Sequence, residues 1–77
     1  MNTKLKFLEI MLSDLVSERD TLELELNRIL NDVETSTIHK KIDFDKLLGR
    51  ITKTNSKIHM MSEYMGSISN DENNNKN

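Results

Sequence analysis

Cysteine, proline and tryptophan are absent from these 77 residues, glycine occurs only twice, and aromatic residues make up 4%. Without cysteine there is neither a disulfide nor a thiolate metal site. With no proline and two glycines, the chain carries few helix breakers. No apolar run approaches the ~20 residues of a membrane span. The opening Met1, Asn2, Thr3 and Lys4 lack the continuous apolar core of a secretory signal, so an intracellular, cytoplasmic location is expected. A formal charge of −2 gives no sign of an overall phosphate-binding surface. The mass of 9.0 kDa leaves room for one small domain. At this size a lone core rarely stabilises a fold by more than ~3–5 kcal/mol.

What is present is helix-forming and periodic. Residues 70–77 contain no apolar side chain and are expected to form a disordered, Asn-rich tail. Ahead of it, Thr35, Ser36 and Thr37 form the one weak point, because β-branched residues and serine lose freedom in a helix or compete for its hydrogen bonds. This places a helix at about 4–34, a turn at about 35–37 and a second helix at about 38–69, one hairpin domain over 1–69. The half up to Glu34 holds eight acids and four bases; the half from Thr35 to Ser69 holds three acids and six bases. Halves of opposite charge and similar length are suited to meet.

The first half repeats Leu5, Leu8, Leu12, Leu15, Arg19, Leu22, Leu26, Ile29 and Val33 at alternating spacings of three and four. The second repeats Phe44, Leu47, Ile51, Thr54, Ile58, Met61, Met65 and Ile68 in the same way. Both are heptad seams with a single polar member each. A continuous helix pairing in parallel with a copy of itself would need only a stutter between Val33 and Phe44. The pairing chemistry favours the hairpin. When facing residue numbers add to 73, Arg19 and Thr54 share a layer, so both polar exceptions coincide. One flank then sets Glu25 against Arg50, Glu18 against Lys57 and Met11 against Tyr64, while the other sets Leu30 against Leu48. A parallel dimer would instead set Glu18 against Glu23. The expected fold is all-α, a two-helix antiparallel coiled-coil hairpin. The off-seam residues Phe7, Ile10, Met11, Val16, Leu24, Leu30, Leu48 and Met60 have no role on a free two-helix rod. The hairpin is therefore expected to be completed into a bundle by self-association or a partner.

Catalysis finds no support. There is no Ser-His-acid set at useful spacing and no Gly-rich phosphate loop, and Asp43 and Asp45 point to different faces of a helix. His39 with Asp43, and His59 with Glu63, stand four apart, but two ligands make no metal site and a solvated pair is the simpler reading. No cofactor is expected. Lys40, Lys41, Lys46, Arg50, Lys53 and Lys57 make the second helix basic, yet no aromatic is interleaved for base stacking, so nucleic acid is the weaker alternative.

Methionine is more informative. Phe7 and Met11 on the first helix, and Met60 and Tyr64 on the second, share one flank near the open end, with Ile10 nearby. Met side chains adapt to partners, so this group is the candidate partner-binding patch. The layout resembles small helical-hairpin proteins such as needle-subunit co-chaperones of type III secretion, small kinetochore or tethering-complex subunits, and phage accessory proteins. The likeness covers helix, turn and helix alone and carries no functional residue across. The expected function is a non-enzymatic interaction module, a small chaperone, adaptor or structural subunit that binds a helical protein. The alternatives are a self-contained homodimeric four-helix bundle and a nucleic-acid binder.

Overall fold

Two helices, α1 over Thr3–Asn31 and α2 over Thr37–Asn75, pack antiparallel as a hairpin. This computed structural model describes residues 3–75, with side chains described from Thr3 to Ser69. The molecule is a rod of 62 × 16 × 13 Å. Its length follows from the 39 residues of α2 at ~1.5 Å each.

Burial follows the heptad seam. Leu15, Leu22, Ile29 and Leu47 are buried, and Leu22, Ile29 and Leu47 form one cluster against which Leu26, Phe44 and Ile51 pack. Leu8, Leu12, Ile58, Met61 and Met65 are half-buried along the rest of the seam. A single interface between two helices covers each seam residue from one side only, so the core stays thin. Thr54, at 4% exposure, is buried as deeply as any leucine. Its hydroxyl donates to the Arg50 carbonyl at 2.9 Å, which satisfies the polar group within its own helix. Arg19, the other polar member of the seam, is half-buried. One guanidinium nitrogen reaches Asp20 at 3.4 Å, while Nε is buried without a partner.

The connection differs from the expected turn at 35–37. Helix α1 ends at Asn31 rather than Glu34, and residues 32–36 join it to α2. The cause is Asp32. Its backbone N–H already bonds back to the Ile29 carbonyl at 3.2 Å, a closing 3₁₀-type contact. Its carboxylate then accepts from the backbone N–H of Glu34 at 2.9 Å and of Thr35 at 3.2 Å, and from the Thr35 hydroxyl. An aspartate that captures downstream N–H groups gives the backbone a turn in place of the next helical residue. Ser36 then caps α2. Its carbonyl accepts the first helical bond, from Lys40 N–H at 2.9 Å, and its hydroxyl lies 2.7 Å from His39 Nδ1.

Two further expectations are corrected. Val33 belongs to the connection and is 92% exposed, so the seam of α1 closes at Ile29. Helix α2 runs on through residues 70–75, where a disordered tail is expected; only Lys76 and Asn77 of that tail lie outside the described residues. Gly66 sits within α2, not at a helix end, and no residue with positive φ interrupts the described chain.

Candidate protein-interaction surface

Helical spacing fixes which side chains share a face of the rod. In each helix, residues one step to one side of the seam form a front face that carries Phe7, Met11, Asp14, Glu18 and Glu25 on α1. The same face carries Lys46, Arg50, Lys53, Lys57, Met60 and Tyr64 on α2. At the open end of this face Phe7 and Tyr64 flank a shallow apolar groove whose floor is Leu8, Met61 and Ile68. Phe7 is 60% and Tyr64 58% exposed. Met11 lies one turn on from Phe7 and Met60 one turn before Tyr64, and both are exposed, so they extend the strip without lining the groove. Ile10 is exposed on the outer edge of α1 and lies outside the groove.

A second apolar concavity lies at the turn end on the opposite face, lined by Leu30, Ile38, Ile42, Phe44 and Leu48. Ile38 and Ile42 lie in the first turns of α2, off the seam, and are exposed. Sequence reasoning pairs Leu30 with Leu48 but misses Ile38 and Ile42. Their spacing of four, off the seam, is the signal that marks them.

The electrostatics of the rod differ from the expected flank pairs. Among the described residues, neither Glu18 with Lys57 nor Glu25 with Arg50 forms an ion pair. Glu25 instead binds Arg28 on its own helix through two hydrogen bonds. That bond holds the Glu25 carboxyl below its ordinary range and raises the Arg28 guanidinium above its own. Contact within one helical turn wins because surface side chains give up less freedom to meet a neighbour three residues away than one across the interface. Asp32 is also held below the ordinary carboxylate range, chiefly by the Thr35 hydroxyl and then by the two backbone N–H groups, with Lys40 adding attraction. His39 turns to Ser36 and not to Asp43. His59 Nε2 lies 3.0 Å from Glu63, an exposed pair. Among the described residues no three His, Cys, Asp or Glu side chains gather to hold a metal ion. No helix there is long and apolar enough to cross a membrane.

Comparison with known proteins returns nothing similar: no family model, no curated protein and no solved structure matches this chain.

Proposed function

We propose that this hairpin is a non-enzymatic protein–protein interaction module, acting as a small chaperone, adaptor or structural subunit, and that it docks a helical partner on its open-end patch. The observation that carries this reading is the pair Phe7 and Tyr64, both more than half exposed beside an apolar groove with Leu8 and Met61 on its floor. Side chains of this size left in water around a groove are a recurrent mark of a docking surface. On α2 the lining residues Met61, Tyr64 and Ile68 stand three and four apart, a spacing suited to an apolar helix face. Neighbouring Met11 and Met60 add flexible side chains that can fit a partner's contour.

A photo-reactive residue at Tyr64 should crosslink to a defined helical segment of the partner, whereas one at Leu24, exposed on the outer edge of α1, should not. Replacing Phe7 and Tyr64 together by serine should lower association at least tenfold while leaving the helical signal in place, since a loss of ~1.4 kcal/mol suffices. Unchanged association would exclude the patch and move attention to Leu30, Ile38 and Leu48.

Nucleic-acid binding is the second reading, favoured by Lys46, Arg50, Lys53 and Lys57, none of which makes an ion pair among the described residues. Titration with RNA and DNA at two salt concentrations tests it. A steep loss of affinity with salt would support phosphate contacts, and no binding at low salt would exclude them.

A further inference from the structure

Resting on the interaction-module reading, we infer that the occupant of the open-end patch is a second copy of this chain, stacked front face to front face with both turns at the same end, which gives a four-helix bundle. From Phe7 to Glu18 on α1 and from Tyr64 to Lys53 on α2, the front face of one copy is complementary to that of another. From the open end toward the turn, the front of α1 reads Phe7 and Met11, then Asp14 and Glu18. Over the same stretch, the front of α2 reads Tyr64 and Met60, then Lys57 and Lys53. Asp14, Glu18, Lys53 and Lys57 are all exposed, and none makes an ion pair among the described residues. The hairpin thus displays an acidic stripe and a basic stripe side by side, each continuing an apolar end, and leaves both unpaired.

Two copies can meet through this face about one of two in-plane two-fold axes. An axis along the rod lays α1 of one copy over α2 of the other. Phe7 and Met11 then meet the partner's Met60 and Tyr64, while Asp14 and Glu18 meet the partner's Lys53 and Lys57. Each of these eight side chains finds its complement, and the relation repeats on the other side. An axis across the rod lays α1 over α1 and α2 over α2. Acid then meets acid, base meets base, and the apolar end lies over the charged turn end. Like charges brought together at an interface oppose assembly, so the lengthwise axis is selected. The dimer would leave the turn-end concavity around Ile38 and Leu48 free on its outer face.

The test combines orientation with charge. The chain has no native cysteine, so Glu34→Cys gives a single spin-label site at the turn. Sedimentation from about 1 µM to about 100 µM, the range of ordinary micromolar association, should show a dimer whose affinity falls as salt rises. Label-to-label distances should be about 20–30 Å, two helix diameters plus the label arms. Separations approaching the 62 Å of the rod, or self-association that strengthens with salt, would overturn the stacking and favour the crosswise axis. An assembly that keeps growing with concentration would overturn it in favour of front-to-back contacts. A monomer throughout would overturn the second copy as partner while leaving the interaction-module reading to the Tyr64 crosslink. Two charge variants give a separate check. Asp14→Lys with Glu18→Lys, and Lys53→Glu with Lys57→Glu, should each lose self-association at least tenfold with helicity retained. An equal mixture of the two should associate again. Failure of the mixture to do so, with both variants helical, would overturn the proposed pairing.

Discussion

Thr35 donates both its backbone N–H and its hydroxyl to the carboxylate of Asp32, and this contact decides where the chain turns. The Lys40 ammonium reaches back from the first turns of α2 to the Asp32 carbonyl, tying the start of one helix to the end of the other. The turn is thus made by side-chain oxygen and not by glycine. Every non-glycine residue described keeps a negative φ.

The Asp32 carboxyl is held below its ordinary value of 3.8 in the folded chain. A depressed carboxylate contributes stability that is fully present above its unfolded pKa and lost as pH falls through the folded one. Glu25, depressed by Arg28, acts in the same direction. Melting temperature should therefore be flat near neutral pH and fall below about pH 4. Asp32→Asn keeps the shape and removes the charge, and should reduce that acid slope. An unchanged pH profile would show that the turn does not depend on the ionised carboxylate.

Leu22 lies at the centre of the seam at 5% exposure, in one cluster with Ile29 and Leu47. Leu22→Ala should cost about 2–5 kcal/mol, and Leu22→Asp should abolish the cooperative melt, since an unpaired charge would lie in an apolar layer. Circular dichroism at rising temperature reads both. A native-like melt in the aspartate variant would show that the central layer lies elsewhere.

Arg19 has the opposite sign. Its Nε is buried without a partner, and its one salt bridge, to Asp20, is at 3.4 Å. An unmade hydrogen bond of this kind costs about 1–3 kcal/mol. Arg19→Met keeps much of the stem and removes the orphan donor, so chemical denaturation should show a gain on the order of 1 kcal/mol. A loss would mean that the guanidinium stabilises the hairpin through water or through Asp20.

Gly49 and Gly66 lie within α2, and a Cβ at either position would meet no atom within 4 Å. Alanine there should stabilise by about 0.5–1 kcal/mol per site by lowering the entropy of the unfolded chain. Melting curves of the single and double variants should show additive gains. A loss at Gly66 alone would point to a surface that needs close approach there.

The sequence by itself determined the seam, because burying a continuous apolar stripe demands the three–four spacing, while the break into two helices is seen in the structure. It also points to a register, the one alignment of the halves in which Arg19 and Thr54 coincide. Tertiary structure decided the rest. The turn moved to residues 32–36 because the Asp32 carboxylate captures the donors of Glu34 and Thr35, a choice of geometry that propensity at Thr35–Thr37 does not contain. Glu25 took Arg28 over Arg50 because exposed charges gain little from any one partner, so the nearest wins. Phe7 and Tyr64 are legible as off-seam apolar residues, but only the packed hairpin shows them flanking a groove with Leu8 and Met61 beneath. Ile38 and Ile42 are likewise off the seam, but only the packed hairpin gathers them with Leu30 and Leu48 around one concavity. A concavity between two helices needs both of its walls, and that is a property of two segments together.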